Sequence, residues 1–531
     1  MNFHRCFRIL PLVCVLVLSF AGQPVSAASA NPPVLRLHWV GLPVVATGTN
    51  AAHFMDVWRL PDSQALLAQT LDRLSRWPGR GATNAAAASL RPLLNDLVSN
   101  ECVLEIRASG DAPFSIRHSQ ILLAVRLSAD RAAFWRTNFS AAGADLTGLT
   151  PVTTRDGWTL ARSTGRIELA VSGPWTLISC GLDSSVAKSS FAKNLASKVA
   201  RGPLLEAEIS PTGLAAAIAA LDLFPNCQLP TANSHLPSAN SLPFVHLAVT
   251  GANGDLHTHA TLDRDKPYSL DLPTWDIPTN LIHGPLTSFA ATRGFGAWLA
   301  AQTAWKKTGL TPAPDQLVYW SRDGIPFQTY VAAPMPAVSN QLARLFPQLV
   351  QSGNPWLTAN ADGSFAWAAN LSGILWNDAN ILTPFLASAE SNHRDCLFGG
   401  LYPPATDALQ PPPARILQAI HDRPNLLFAE LEGTGARVED GFFILQNFRI
   451  VFHKPQMSHE SIGTQWLKKT EHSFGETFTC LCLADSRRLE LERDSTMGLN
   501  ALELHLLADW LESPQFPCGL HTFLALPDNQ P

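Results

Sequence analysis

The stretch Gln120–Val199, QILLAVRLSADRAAFWRTNFSAAGADLTGLTPVTTRDGWTLARSTGRIELAVSGPWTLISCGLDSSVAKSSFAKNLASKV, decides how the chain is read. Ile121–Leu127 has the length and apolar content of a buried strand. Ser128 is placed to cap a helix over Ala129–Phe139 by accepting from its free N–H groups. Trp158–Ser163, Arg166–Val171 and Trp175–Cys180 follow as short strands, separated by the turn pairs Thr164-Gly165 and Gly173-Pro174. Asp183 is then expected to cap a helix whose apolar stripe is Ala187, Phe191, Leu195 and Val199, stopped by Gly202 and Pro203.

Upstream, Val34–Val40 reads as a strand and Asp62–Trp77 as a helix ended by Pro78. Thr83–Leu97 is alanine-rich and helical, with Pro92 expected to kink or split it, and Cys102–Arg107 is a strand. Downstream, Leu204–Ile209 is a strand, Ser210-Pro211 opens a helix to Leu221, and Phe224–Leu242 is a proline-broken loop. Phe244–Thr250 and Asp255–Leu262 form a hairpin about Asn253-Gly254, which pairs residue 250 with 257, 248 with 259 and 246 with 261.

A proline-punctuated stretch, Asp263–Pro285, reads as a domain boundary. The second half starts with a helix near Phe289–Lys307 and then repeats the order of the first stretch. Gln316–Trp320 and Ile325–Val331 are strands and Ala337–Val350 a helix. Trp356–Asn360, Phe365–Asn370 and Ile374–Trp376 are strands, and Ala379–Ala389 a helix. This is a duplicated β-β-α-β-β-β-α unit by element order and not by identity. A second proline cluster, Tyr402–Pro413, sets off a last portion. There Ala414–His421 is a helix, Asn425–Leu431 a strand, Phe442–Phe452 contains at least one more strand, and Leu499–Leu511 is a helix. The fold class is α+β, with mostly antiparallel, hairpin-rich sheets and packed helices. The expected division is a signal peptide over 1–30, an α+β domain over 31–265, a second over 266–404, and a C-terminal portion over 405–531.

At 531 residues the chain is too long for one core, and its 46% hydrophobic content excludes a disordered whole. A net charge of −5 and no basic run with interleaved aromatics argue against nucleic acid as a partner. Arg5 and Arg8, the apolar run Ile9–Phe20 and the small residues Val25-Ser26-Ala27 and Ala28-Ser29-Ala30 are the three parts of a secretory signal. No later segment is apolar enough to span a membrane. The chain is therefore expected to be exported, to the periplasm or beyond. Seven scattered cysteines follow the signal; Cys102 and Cys180 read as buried small hydrophobes and not as half of a disulfide framework.

Ser185-x-x-Lys188 invites comparison with penicillin-recognising serine enzymes, where a lysine one turn on takes the serine proton. Ser238-Ala239-Asn240 and Lys307-Thr308-Gly309 follow in that family's chain order. Context speaks against it: Lys307 reads as a helix end stopped by Gly309, where the family needs an edge strand. The hairpin offers a second chemistry, because its register puts His246, His257 and His259 on one strand face, a set able to hold zinc. No carboxylate orienter accompanies them. No G-x-S-x-G elbow, P-loop or H-E-x-x-H is present.

The signal followed by units of the form LAVRLSADRAAFW…WTLARSTGRIELAVSGPWTLIS resembles uncharacterised exported protein families of bacteria that carry domains of unknown function. The resemblance covers Cys102–Leu262 and implies an envelope location; it supplies no activity and no site residues. The expectation is a non-enzymatic exported protein without cofactor, whose partner is an unknown protein or envelope component. The alternative is a hydrolase, by serine acyl transfer at Ser185 and Lys188 or assisted by zinc on the three histidines.

Overall fold

The computed structural model describes residues 33–76, 84–108, 119–162, 165–181, 185–195, 202–220, 242–268, 270–323, 328–403, 409–453, 461–513 and 516–517. The expected signal peptide, Asp183, Val199, Cys227, Cys518 and the loop containing Ser238–Asn240 lie outside them. The chain is α+β and divides into two compact units: residues up to Lys266 with a short piece from Asp509, and Pro267–Ala508.

The first unit holds ten strands: β1 (Pro33–Trp39), β2 (Cys102–Ala108), β3 (Ser119–Arg126), β4 (Val152–Thr153), β5 (Gly157–Arg162), β6 (Gly165–Ser172), β7 (Trp175–Cys180), β8 (Leu205–Ile209), β9 (Phe244–Ala252) and β10 (Asp255–Asp263). They pair antiparallel in the order β10-β9-β8-β1-β2-β3-β7-β6-β5-β4. The Asn253-Gly254 hairpin has the register its turn dictates, with Thr250 opposite His257, Ala248 opposite His259 and His246 opposite Thr261.

One row of residues shows how alternation becomes a core. Ala260, Leu247, Ala207, Leu37, Leu104, Leu123, Ile178, Leu169 and Trp158 lie opposite one another from β10 to β5, and all are buried. The other face is divided. Towards β7 it is apolar, with Val103, Leu122, Ala124, Ala170 and Leu177 under Val186, Phe191 and Leu195. Towards β10 it carries Arg36, Glu208 and His246.

The second unit holds β11 (Leu286–Arg293), β12 (Gln316–Arg322), β13 (Thr329–Pro334), β14 (Ser364–Ala368), β15 (Gly373–Asn377), β16 (Phe385–Ser391), β17 (Arg394–Gly400), β18 (Leu426–Gly433), β19 (Glu476–Asp485) and β20 (Arg488–Ser495). Their order is β20-β19-β18-β11-β12-β13-β17-β16-β15-β14, again antiparallel throughout. Every pairing of the first unit recurs here with both strand numbers raised by ten. The two units thus share one topology over their full sheets, well beyond the seven elements that the sequence pattern suggests.

A sequence signal accompanies it at the strand leading into the longest helix of the second unit. Leu204-Leu-Glu-Ala-Glu-Ile-Ser-Pro-Thr-Gly213 and Leu426-Leu-Phe-Ala-Glu-Leu-Glu-Gly-Thr-Gly435 match as L-L-x-A-E-[I/L]-x-x-T-G. Ala207 and Ala429 occupy the same register, facing Leu37 and Leu247 in one unit and Ala291 and Cys480 in the other. The final glycine has a steric reason in both. A Cβ on Gly213 would stand 2.2 Å from the Val34 carbonyl oxygen, and one on Gly435 2.2 Å from that of Glu471. Gly213→Ala and Gly435→Ala are each expected to destabilise the chain by about 1–3 kcal/mol, as overpacking against backbone does, measurable by urea unfolding. A change within error at both would remove the steric account.

Several local expectations are overturned. Phe289 lies in β11, not in a helix: the strand is central and buried through its middle, so it lacks the alternation that marks half-buried strands. Trp356–Asn360 belongs to the helix Asn354–Asn360, with Pro355 in its first turn. Ala379–Ala389 is not a helix; Pro384 interrupts it and β16 begins directly after. Phe442–Val451 lies in the helix Thr434–Val451, with Phe452 just past its end; its apolar residues run round the circumference and hide the helical period. Pro92 sits inside the helix Asn84–Ser99 without splitting it. The expected separate portion 405–531 is also corrected. β18 pairs with β11, so the chain after 405 completes the second sheet, a partnership no local pattern can announce.

Candidate functional site

The segment carrying Ser185 is a 3-10 turn, Val186–Lys188, followed by the helix Ser190–Leu195. The Ser185 hydroxyl donates to Glu168 Oε1 at 2.8 Å, and the Val186 N–H donates to the other carboxylate oxygen at 3.1 Å. Glu168 is buried on β6 and also pairs with Arg166 at 3.2 Å. Ser185 is thus part of a clamp that closes this segment over the sheet, and Lys188 is exposed. Lys307 stands in the last turn of the helix Thr303–Thr308, with Gly309 left-handed at φ 68° as its stop. That is a helix terminus, not the edge strand that a serine acyl-transfer site requires.

His246, His257 and His259 do share one face of the hairpin. His246 Nε2 lies 3.3 Å from Glu206 Oε1, across from the Arg36–Glu105 pair. Among the described residues no group of three or more His, Cys, Asp or Glu is arranged to hold a metal ion. The hairpin brings the three histidines to one face without gathering them into a ligand set. Cys102, Cys180, Cys396, Cys480 and Cys482 are buried free thiols.

The second unit contains what sequence reasoning missed. Glu430 and Glu432 alternate by two on β18 and so face the same way, towards the start of the helix Ala501–Glu512. Asn500 and Glu503 form a capping box there: Glu503 N–H donates to Asn500 Oδ1 at 2.9 Å, and Asn500 N–H to Glu503 Oε2 at 3.0 Å. Glu432 Oε1 accepts from the Ala501 N–H at 2.7 Å, and Glu430 Oε2 from the Asn500 amide at 3.2 Å. Arg493 on β20 closes the group with two bonds to Glu503, 2.5 and 3.0 Å, and a third to Thr479 at 2.9 Å. Arg437 stands nearby, bound to the Tyr319 hydroxyl at 2.7 Å and to Asp440 at 3.3 Å.

Burial dominates the electrostatics here. It pushes the Glu432 carboxyl up to about 7, with the neighbouring Glu430 charge adding to the effect. Glu430 is raised for the same first reason, and burial lifts Asp440 to about 6 against the pull of Arg437. In the first unit the position of Glu430 is taken by Glu208, which keeps partial exposure and lies 3.7 Å from Arg36. The difference is the helix Ala501–Glu512: it covers this face after β20, whereas no helix follows β10 among the described residues of 264–285.

The same helix walls a cavity of about 280 Å³ with the helices Thr434–Val451 and Ile462–Thr470. Its lining is mostly apolar: Val438, Phe442, Phe443 and Leu467, with Glu439, Lys468 and Glu471 as its charged members. His505 completes it. Its Nε2 is 2.8 Å from the Val438 carbonyl, which only accepts, so Nε2 carries the proton and Nδ1 is an acceptor. Nδ1 is buried and has no partner. Burial holds the imidazole down at about 4, so it is neutral at neutral pH.

The fold and site define a tandem α+β protein of two like-ordered antiparallel sheets, with a solvent-open, largely apolar cavity in its second copy. No protein-family model matches the chain, and no curated protein is similar to it. A solved structure of crystal form I of TP0453 is similar over 44% of this chain and all of that one, at 10% identity and a TM-score of 0.23. A likeness at that level carries no argument about fold or function.

Proposed function

We propose that the chain is an exported protein of the bacterial cell envelope that acts by binding and not by catalysis. The observation that carries this reading is the cavity of the second unit, walled by Val438, Phe442, Phe443 and Leu467 with three charged side chains on its lining. The engagement of Ser185 with Glu168 supports it, because the hydroxyl is held as a structural donor. Export is supported by the charged start, apolar run and small-residue exit of residues 1–30. No helix among the described residues is long and apolar enough to cross a membrane.

Purified protein treated with a fluorescent β-lactam or fluorophosphonate is expected to stay unlabelled. Stoichiometric labelling that disappears in Ser185→Ala would replace this reading with serine acyl transfer. N-terminal sequencing of protein recovered from the envelope fraction is expected to begin after Ala27 or Ala30; a retained Met1 there would remove the export part.

A further inference from the structure

We infer that the cavity between the helices Thr434–Val451, Ile462–Thr470 and Ala501–Glu512 receives a small arylalkylammonium, a primary ammonium on a short aromatic stem. The inference deepens the binding reading above and rests on it. Four features of the cavity lead there, and each restricts the ligand in a different way.

The first is size. A volume of about 280 Å³ lies just below the roughly 300–1,000 Å³ range of small-molecule sites, so the ligand is small. The second is the aromatic pair at the wall. Phe442 is 8% exposed and Phe443 46% exposed, which places one ring inside and leaves the other accessible to a ligand stem. The third is charge. Glu439 and Glu471 line the cavity against a single lysine, Lys468, leaving one negative charge in excess. Burial raises the Glu471 carboxyl and the Glu439 charge raises it further, while His472 and Lys468 pull it down.

The fourth feature is a resident example of the chemistry. The Lys468 ammonium lies 4.4 Å from the centroid of the Phe442 ring, so this face already holds a cation against its π-system. A ligand ammonium takes the same place as Lys468 swings outward, which its exposure permits. An anionic ligand would meet two carboxylates, with Lys468 as the charged lining residue in its favour.

The test is calorimetric titration of the full purified chain with phenethylammonium, 3-phenylpropionate and 2-phenylethanol. The amine is expected to bind saturably at one site, and the anion not at all. Glu439→Gln and Glu471→Gln are each expected to weaken the amine roughly three- to five-fold, the size of one partly exposed charge pair. Lys468→Ala is expected to tighten it, because the competing ammonium is gone. These three side chains lie at or near the surface, and an unchanged thermal melt verifies that each variant is folded. Absence of amine binding, or affinities untouched by all three variants, overturns the inference. Equal binding of 2-phenylethanol overturns the ammonium requirement while leaving a binding protein. The labelling experiment judges that broader reading separately.

Discussion

Arg493→Met is expected to destabilise the second unit by about 3–5 kcal/mol, the cost of leaving a buried charge without its partner. Arg493 is 8% exposed and Glu503 5% exposed, and their two-pronged bond is the one strong cation contact in a group that also holds Glu430 and Glu432. Without the guanidinium, three carboxylates remain around one helix start, where Arg437, the Asn500 amide, the Thr434 hydroxyl and backbone N–H groups offset them in part. Urea unfolding of the single variant and of Arg493→Met/Glu503→Leu separates pairing from packing. The double variant is expected to be more stable than the single one, because both charges leave together. It should still fall short of the native chain by about 1 kcal/mol, since Glu503 also belongs to the capping box. A single variant as stable as the native chain would show that the buried ion pair contributes nothing net.

Glu432→Gln is the second large effect, and it depends on pH. In the fold this carboxyl keeps its proton up to about 7, whereas the unfolded chain releases it near 4.5. Between those values the folded state binds more protons, so stability falls as pH rises, by up to about 3 kcal/mol for a shift of this size. Glutamine keeps the acceptor for the Ala501 N–H and does not ionise. The variant should therefore equal the native chain near pH 4.5 and exceed it progressively up to pH 7 and above. His505 contributes in the opposite sense in both proteins. Its imidazole is held down at about 4, so stability is lost as pH falls from 6.5 towards 4. The difference between variant and native chain removes that shared term. A difference that does not change between pH 5 and pH 8 would falsify the burial of an ionisable Glu432.

What was legible in the sequence followed from short-range chemistry. Asn253-Gly254 determines its turn, the turn determines the register, and the register puts three histidines on one face. Ser128 caps its helix by accepting from the Arg131 N–H, as its position before an apolar run implies. The element order of Gln120–Cys180 was readable for the same reason. Misreadings fell where the usual signal is absent: β11 is buried through its middle and shows no alternation, and Thr434–Val451 is apolar round its circumference. The cavity and the acid group were readable only in fragments. Asn500-x-x-Glu503 is a capping box in plain view, and the L-L-x-A-E-[I/L]-x-x-T-G repeat marks Glu430. Neither fragment says that β18, β20 and a helix end converge.

The sequence by itself determined the strands with alternating or β-rich runs, the hairpin turns, the helix caps and an α+β class. Each depends on residues within a few positions of one another. Only the tertiary structure decided that β1 joins β2 to β8 and β11 joins β12 to β18, because those partners are separated by long stretches of chain. It alone decided that Ser185 answers to Glu168, and that Glu208 and Glu430, alike in sequence, stand in different environments. The physical reason is that burial belongs to what covers a residue. Ala501–Glu512 covers one sheet and has no counterpart after β10 among the described residues of 264–285, and that helix turns a shared strand into a charged core beside a cavity.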